Sequence, residues 1–278
     1  MKLRLYTGSR ASDGARMLAT ALTALGHNAK ALRPNGSTWR PRNGDVVINW
    51  GSTAIKDFDP AVLVNSFGGV ATAVNKIRTF EAIEAYKSQS VIDSAEYRYP
   101  RYAPDVATLK QQDGGRWPLN GAIIRTTLTG HSGEGTYYCR FESDYLVLVG
   151  SGTIRATDVV LCQAYIRKTA EYRVHVLGGE VIDFQKKRRD AAAAAEGSVI
   201  DTIRNHQNGW VYCRDNVALT PRIKLHAIEA VAACGLDFGA VDIMTLSSGK
   251  PFVLEVNSAP GLSETTANKY AEALVTFL

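Results

Sequence analysis

The chain has 278 residues, with 32 Lys and Arg against 27 Asp and Glu, which gives a formal net charge of +5. A chain of this length, 45% hydrophobic and 21% charged, buries a core without covalent staples, so disorder and a disulfide-stabilised miniprotein are excluded. The net charge is too weak to predict nucleic-acid binding, and no apolar run approaches the roughly 20 residues of a membrane-spanning helix.

The first 70 residues predict a small α/β domain. Polar and apolar residues alternate from Lys2 to Tyr6, as in a short strand. Leucines at helical spacing predict a helix from Ala11 to Leu25, which Gly26 would end. Residues 46–48, Val-Val-Ile, predict a buried strand.

The following segment predicts a helix and then a small β-rich lobe. Apolar residues on one side of residues 71–86 predict the helix. Strands are predicted over residues 122–125 and 146–149. Between these strands, residues 130–135 form a glycine-bearing loop.

The rest of the chain predicts two hairpins and further helices. Residues 171–177 and 180–185 flank Gly178-Gly179, a two-residue glycine turn that is typical of a hairpin. Residues 191–195 are alanines, which predict either a helical piece or a loop. Longer helices are predicted over residues 222–234 and 265–278.

The second hairpin, within GAVDIMTLSSGKPFVLEVNSAPGL at residues 239–262, has the most informative pattern. A turn centred between Ser248 and Gly249 places Asp242 directly opposite Glu255. The alternation of side chains along a strand then puts Asn257 on the same face as Glu255. The predicted strands span residues 241–246 and 252–257.

These three side chains indicate a metal site. Two opposed carboxylates repel each other, which costs stability unless a cation binds between them. Carboxylate and amide oxygens are ligands that suit Mg²⁺, which also keeps waters and shares substrate phosphates. The alternative is a pair of solvated carboxylates without a metal. The apolar residues around the pair favour the metal, because strands flanked in this way are not freely solvated.

The E-V-N-S-A-P-G ending of this hairpin, with the order of the elements before it, resembles the ATP-grasp enzymes. The chain is most similar to carboxylate–amine ligases related to ribosomal-protein glutamate ligase, including small phage-borne members. This resemblance covers residues 70–278 and implies an α/β and α+β chain in which two lobes clamp ATP. The implied domains are an N-terminal α/β domain at 1–70, a first lobe at 71–162 and a second lobe at 163–278.

The resemblance also implies three groups of site residues. The Mg²⁺ ligands, which would also accept Mn²⁺, are Asp242, Glu255 and Asn257. The residues that would bind ATP are Lys76, Arg125, Ser132, Gly133, Gln163, Tyr165, Ile166 and Glu171. The residues that would act on the transferred phosphoryl group and the acidic substrate are Arg173, Lys187 and Arg204. At Arg125 the family usually has lysine, and the two are not interchangeable at a tight site.

Several of these residues have simpler explanations. Lys76 could be an exposed helix lysine, and the 130–135 loop could be a plain hairpin turn. Residues 162–166 could be an ordinary strand between lobes. Glu171 would face Lys186 across the two-residue turn, so an exposed cross-strand ion pair competes with a role in ribose binding.

The function implied by the resemblance is ATP-dependent amide or peptide bond formation through an acyl phosphate, with release of ADP and phosphate. The partners would be a small-molecule or peptide carboxylate and an amine acceptor. The resemblance also implies a homo-oligomer. One alternative is a nucleotide-binding module, or a protein that binds nucleic acid through Lys186–Arg189, where Phe184 is the one interleaved aromatic residue. Another is a small-molecule kinase on the same fold.

The cysteines and the N-terminus indicate the compartment. The four cysteines are far apart and form no C-x-x-C pair, which predicts free, buried thiols in a reducing environment. The first six residues are too short and too alternating for a signal peptide. A cytoplasmic location is therefore expected.

Overall fold

The computed structural model describes residues 1–8, 11–32, 38–91, 99–129 and 133–278. They form a parallel sheet of order β2-β1-β3-β4 and two antiparallel sheets, of orders β5-β8-β6-β7 and β11-β10-β9-β12-β13. Within these ranges, every helix is too short or too polar to cross a membrane.

The N-terminal sheet confirms the predicted strand, helix and strand. Its strands are β1 (Lys2–Tyr6), β2 (Asn28–Ala31), β3 (Val46–Asn49) and β4 (Val62–Val64). Helix α1 (Asp13–Ala24) begins where the Ser12 side chain accepts a hydrogen bond from the Ala15 amide, and its buried leucines Leu18 and Leu22 face the core. The edge strands β2 and β4 escaped prediction because they are only four and three residues long.

The prediction of one helix over residues 71–86 is wrong. The structure has α2 (Phe67–Ala73) and α3 (Lys76–Tyr86), separated at Val74 and Asn75. The Asn75 side chain accepts hydrogen bonds from the amides of Ile77 and Arg78, because asparagine caps a helix better than it continues one. As a result, Lys76 lies at the first position of α3.

The sheet of the first lobe is formed by β5 (Tyr102–Ala103), β6 (Ala122–Arg125), β7 (Thr136–Cys139) and β8 (Leu161–Ala164), with α4 (Val106–Gln111) beside it. The predicted strand over residues 146–149 is wrong, because these residues belong to α5 (Glu142–Gly150). The Asp144 carboxylate accepts a hydrogen bond from the Phe141 amide and, with Glu142, favours a helix N-terminus. A short apolar run does not distinguish strand from helix.

The five-stranded sheet carries both hairpins. Its strands are β9 (Ala170–Leu177), β10 (Glu180–Arg189), β11 (Trp210–Cys213), β12 (Phe238–Thr245) and β13 (Pro251–Asn257). The remaining helices are α6 (Ala191–Ala195), α7 (Pro221–Ala233) and α8 (Glu264–Phe277). Val174 and Val241 pack under α7, whereas Leu177 and Phe238 join the core shared by α1, α8 and the parallel sheet.

Each predicted domain range contains one of the three sheets, apart from β8, which crosses from the first lobe into the second. Two packing contacts cross the ranges. Val70, Ala73 and Ile83 from α2 and α3 pack in the core of the five-stranded sheet, and α8 packs against α1. The boundaries themselves stay a prediction.

All four cysteines are free, as predicted. Cys139, Cys162 and Cys234 are also buried as predicted, whereas Cys213 is only half-buried. Burial raises the pKa of Cys139 to about 11 and the pKa of Cys162 and Cys234 to about 12. These three thiols are therefore protonated, unreactive core residues at neutral pH.

Asn65 joins the N-terminal sheet to β12. It has a positive φ of 62° and is fully buried. Its side chain accepts from the amides of Asp237 and Phe238 and donates to the Phe238 carbonyl. We expect Asn65→Ala to lower the free energy of unfolding by about 3 kcal/mol, because buried backbone groups lose their partners.

Urea denaturation measures this change. The control is Asn216→Ala, at an exposed residue with a similar φ of 51°, which tests the backbone conformation alone. Equal losses in the two variants would show that the buried hydrogen bonds of Asn65 contribute nothing beyond its φ.

Candidate active site

A cavity of about 680 Å³ lies between the two antiparallel sheets. Ser132 lies outside the described residues. All the other predicted site residues line this cavity: Lys76, Arg125, Gly133, Gln163, Tyr165, Ile166, Glu171, Arg173, Lys187, Arg204, Asp242, Glu255 and Asn257. The structure thus brings together residues from α3, β6, β8 and the five-stranded sheet.

The predicted pairing of Asp242 with Glu255 is confirmed, although the residues nearer the turn pair in a different register from the predicted one. At the turn the strands pair one residue out of the predicted register, with Thr245 opposite Pro251. A bulge at Leu254 then restores the predicted pairing. It also turns Glu255 away from the buried face that carries Val253 and towards the cavity.

Asp242 is held by a bidentate ion pair. The Nε of Arg173 lies 2.7 Å from one of its oxygens, and Nη2 lies 2.9 Å from the other. Burial lowers the pKa of Arg173, but Asp242 outweighs this and keeps the pKa above its usual value. Arg173 therefore stays charged and fixes the orientation of the carboxylate.

Glu255 lies between Lys76 and Asn257. Its carboxylate is 3.0 Å from Lys76 Nζ and accepts a 3.3 Å hydrogen bond from Asn257 Nδ2. Burial raises the pKa of Glu255, but Lys76 and Arg173 together hold that pKa well below its usual range. The carboxylate is consequently ionised at neutral pH, and Lys76 is a buried partner rather than an exposed helix lysine.

A second bulge determines which residue of the basic run Lys186–Arg189 lines the cavity. The register of β10 shifts between Val181 and Asp183, so Lys187 comes opposite Glu171. The expected Glu171–Lys186 pairing is therefore wrong, since Lys186 faces Tyr172 instead. Lys187 Nζ donates to Glu171 and to the Arg204 carbonyl.

The other residues of the run lie elsewhere. Lys186 lies over the Tyr172 ring, Arg188 donates to the Asp215 carbonyl, and Arg189 lies over Trp210. One residue of the four-residue run thus lines the cavity, which weakens the hypothesis of a continuous basic strand that binds a polyanion.

Tyr212 is a cavity residue that the sequence reasoning missed. Its ring lies 4.7 Å from Arg173 Cζ and 5.4 Å from Lys187 Nζ, within range of cation–π attraction. It belongs to β11 and pairs with Lys187. The pairing of β11 with β10 is decided by tertiary structure, so no local signal pointed to this residue.

Arg125 is a half-buried cation whose hydrogen-bonding partners are neutral. Its Nε donates to Gln163 at 3.1 Å and its Nη1 to Thr136 at 2.7 Å. Among the described residues, no carboxylate forms an ion pair with it. Burial lowers the pKa of Arg125 although Glu255 raises it, and arginine remains charged at neutral pH. Its charge is available to a ligand.

The Arg204 side chain contacts Asp201, Trp210 and the Lys168 carbonyl. Its Nε lies 2.9 Å from Asp201, and its guanidinium lies 4.2 Å from the centre of the Trp210 ring. Trp210 in turn donates to the Ile200 carbonyl. This packing holds residues 200–204 against the cavity, and a catalytic role of Arg204 stays a prediction.

Lys168 is a second cavity residue that the sequence reasoning missed. Its Nζ donates to the Thr202 carbonyl at 2.8 Å and lies 5.2 Å from the centre of the Tyr165 ring. Burial lowers the pKa of Lys168 to about 8, and Arg204 and Lys187 add to this effect against the carboxylates Glu171 and Asp201. The one feature of the sequence that could have identified Lys168 was its position between Gln163 and Glu171, which were both predicted to bind ATP.

We expect Lys168 to make anion binding depend on pH. Its charge is present below pH 8 and is lost as the pH rises through that value. Affinity for a non-hydrolysable ATP analogue should therefore fall about tenfold between pH 7 and pH 9, the effect of losing one hydrogen bond from a charged donor.

Calorimetry at several pH values tests this expectation on wild type and Lys168→Met. The variant should bind equally weakly at both pH values. Arg167→Met changes the exposed neighbour and should keep the wild-type profile. A profile that is unchanged in Lys168→Met would assign the pH dependence to another group.

The cavity has an excess of positive charge. Its described lining contains six Lys and Arg side chains and three carboxylates: Lys76, Arg125, Lys168, Arg173, Lys187 and Arg204 against Glu171, Asp242 and Glu255. Cations gathered in a concave site attract polyanions such as nucleotide phosphates. The cavity is thus suited to ATP chemistry.

Comparison with known proteins agrees with this geometry. The model of the RimK-like ATP-grasp domain matches residues 86–275. A probable alpha-L-glutamate ligase of Aeromonas salmonicida is 25% identical over 231 residues, which cover 82% of this chain and 70% of that protein. The comparison confirms the family resemblance and favours the ligase over the kinase and binding-module alternatives.

Solved structures show the same fold. The D-cycloserine synthetase DcsG aligns with a TM-score of 0.66 at 16% identity, over 100% of this chain and 99% of that one. The ATP-grasp ligase PsnB, complexed with minimal precursor, Mg and ADP, aligns with a TM-score of 0.65 at 14% identity, over 98% and 96%. The chain therefore belongs to the RimK-like ATP-grasp family and is an ATP-dependent ligase that joins a carboxylate to an amine.

Proposed function

We propose that this chain binds ATP with Mg²⁺ in the cavity and activates an amino-acid or peptide carboxylate as an acyl phosphate. The observation that carries this proposal is the Asp242–Glu255 pair, with Asn257 beside it and Lys76 and Arg173 around it. Carboxylates and cations alternate there within hydrogen-bonding distance, as an enzyme that handles metal-bound phosphates requires.

The side chains present fit Mg²⁺. Asp242, Glu255 and Asn257 offer hard oxygen ligands on adjacent strands, and both carboxylates are held in place by cations. Two carboxylates and one amide form a small ligand set, which suits Mg²⁺ because it takes few protein ligands and shares phosphate oxygens. When bound, the ion would neutralise charge on the phosphates.

The first chemical step needs positive charge around the transferred phosphoryl group. An oxygen of the substrate carboxylate attacks the γ-phosphorus, the bond to the bridging oxygen breaks, and ADP leaves. Arg125 and Lys187, which line the cavity, would stabilise the charge that spreads over the phosphoryl oxygens, and Arg173 supports Asp242. Because the substrate carboxylate is itself the nucleophile, this step needs electrostatic stabilisation but no nucleophile from the protein.

The second step needs an amine and a dry site. The amine nitrogen attacks the carbonyl carbon, the bond to the phosphate oxygen breaks, and inorganic phosphate leaves as the nitrogen loses a proton. Gly133 lies close to the second lobe, because a Cβ there would lie 2.9 Å from Asn205 Nδ2. Such close approach limits the access of water to the intermediate.

The substrates follow from charge and from relatives. The cavity keeps excess positive charge, which suits a carboxylate beside ATP. A relative is named as a probable alpha-L-glutamate ligase, and PsnB is complexed with a precursor. An amino-acid or peptide carboxylate is therefore the substrate class that we propose.

Calorimetric titration of wild type with a non-hydrolysable ATP analogue tests the nucleotide and metal parts. We expect saturable binding that Mg²⁺ strengthens at least tenfold. A screen of amino acids and peptides then tests the substrates through multiple-turnover ADP release. This should require both an acid and an amine, because without an amine the acyl phosphate stays in the site after one turnover. Binding that is indifferent to Mg²⁺ would contradict the metal site, and ADP release that continues over many turnovers without an amine would contradict the second step.

A further inference from the structure

Lys168 differs from the other two lysines that line the described part of the cavity. Lys76 Nζ lies 3.0 Å from the Glu255 carboxylate, and Lys187 Nζ donates to the Glu171 carboxylate. Lys168 Nζ instead donates to a neutral backbone carbonyl at 2.8 Å. A carboxylate stabilises the proton of an ammonium group, whereas a carbonyl also accepts a hydrogen bond from an uncharged amine. Lys168 is therefore the cavity lysine whose contacts allow the uncharged form.

The charges around Lys168 are mixed, and burial decides between them. The carboxylates of Glu171 and Asp201 favour its ammonium form, whereas the cations Arg204 and Lys187 oppose it. Desolvation is the largest effect and lowers the pKa of Lys168 to about 8. At pH 7 about a tenth of the molecules therefore carry an uncharged amine at this position, compared with about 0.04% for an ordinary lysine.

The hydrogen bond to the Thr202 carbonyl also orients the amine. It uses one N–H bond of Nζ, which the uncharged amine retains, so the nitrogen lone pair points in a different direction from Thr202. The Lys168 side chain is only half-buried, and it lines the cavity. An electrophile small enough to enter the cavity can therefore approach the lone pair.

The cavity also selects the class of electrophile. Its described lining has six Lys and Arg side chains against three carboxylates, so it attracts anions. An acyl phosphate is an anion through its phosphate group and an acyl donor through its carbonyl carbon. The positive charge of the cavity therefore concentrates this kind of acyl donor next to the amine of Lys168.

We propose that Lys168 is an acylation site, and that small acyl phosphates from solution modify it when the cavity holds no nucleotide. The Nζ lone pair attacks the carbonyl carbon, the bond from that carbon to the phosphate oxygen breaks, and inorganic phosphate leaves while Nζ loses a proton to water. The product is an uncharged amide. Because it removes one cation from the cavity, the amide lowers nucleotide affinity, and this second part rests on the proposed function.

Isotope-labelled acetyl phosphate is the probe, applied to the full chain without nucleotide. Peptide mass spectrometry measures the labelling rate at each lysine, with the exposed Lys224 of α7 as the reference. At pH 7, Lys168 should be labelled roughly tenfold faster than Lys224 or more, because more of its amine is uncharged. A bound ATP analogue should suppress labelling of Lys168 but not of Lys224, since the nucleotide occupies the cations that attract the phosphate group.

The pH dependence of labelling separates Lys168 from an ordinary lysine. Its rate should rise about tenfold from pH 7 to pH 9 and approach a plateau, because most of the amine is uncharged above pH 8. An amine with the ordinary lysine pKa would gain about a hundredfold over the same range. A rise of that size at Lys168 would overturn the inference.

Calorimetry with a non-hydrolysable ATP analogue and Mg²⁺ tests the consequence of acylation. Acetylated wild type should bind the analogue about tenfold more weakly than untreated wild type, the effect of losing one hydrogen bond from a charged donor. Lys168→Arg keeps a cation that acetyl phosphate does not acylate, so treatment should leave the affinity of this variant as it was. Lys224→Arg should respond to treatment as wild type does.

Labelling of Lys168 no faster than that of Lys224, or no protection by bound nucleotide, would overturn the acylation site. An equal loss of affinity in treated wild type and treated Lys168→Arg would assign that loss to another lysine and overturn the second part. If untreated wild type binds no nucleotide, the proposed function fails, whereas the labelling rates of Lys168 and Lys224 still decide the acylation site.

Discussion

Glu255→Gln is expected to lower the rate of ADP release by about 10³-fold, comparable to the loss of a principal electrostatic group in an active site. Glutamine keeps the size of the side chain but removes the negative charge. Lys76 lies 3.0 Å from this carboxylate and would lose its ionic partner. The proposed Mg²⁺ site would lose one of its two charged ligands, so the Mg²⁺ concentration needed for half-maximal activity should also rise.

ADP release measured over a range of Mg²⁺ concentrations tests this expectation. Glu180→Gln is the control, because Glu180 is an exposed carboxylate at the start of β10 in the same sheet. The control should behave as wild type. Full activity of Glu255→Gln with an unchanged Mg²⁺ requirement would remove Glu255 from the metal site.

Arg173→Lys is expected to lower turnover by about 10²-fold, within the range seen when a group that supports an active-site ligand is lost. Lysine keeps the charge but cannot bond to both oxygens of Asp242 as the planar guanidinium does. The contact between the guanidinium and the Tyr212 ring would also change. Asp242 would then be charged but no longer fixed in orientation.

A second bidentate pair outside the cavity provides the control. Arg214 donates to both oxygens of Asp183 at 3.3 and 2.9 Å, next to α8. Arg214→Lys should lower the melting temperature without lowering turnover per folded molecule. If both lysine variants reduced turnover equally, the effect of Arg173 would be one of stability rather than of orientation.

Local patterns were sufficient for much of the fold. Alternation predicted β1 and both hairpins, and the glycine turn at Gly178-Gly179 placed the start of β10. The errors arose where an apolar run fits either a strand or a helix, as in α5, and where a capping side chain interrupts a predicted helix, as at Asn75. In both cases a hydrogen bond that a polar side chain accepts from a backbone amide outweighed the hydrophobic pattern.

Which side chains enter the site depends on the register of the strands, and the sequence of a hairpin turn does not determine that register along the whole strand. The bulge at Leu254 turns Glu255 into the cavity, and the bulge near Ile182 brings Lys187 rather than Lys186 opposite Glu171. A shift of one residue moves every following side chain to the other face of a sheet. The turn sequences alone therefore predict which strands pair but not which basic residue lines the cavity.

The sequence by itself determined the alternation in β1, the two hairpins and the acidic pair on the second of them, because these features are local in the chain. Tertiary structure decided which charges meet. Tyr212 approaches Arg173 only because β11 joins the sheet edge, and Lys168 contacts Thr202 across 34 residues of chain. Burial in the assembled cavity also sets the pKa of Lys168, since desolvation depends on every element packed around a charge and no short stretch of sequence records it.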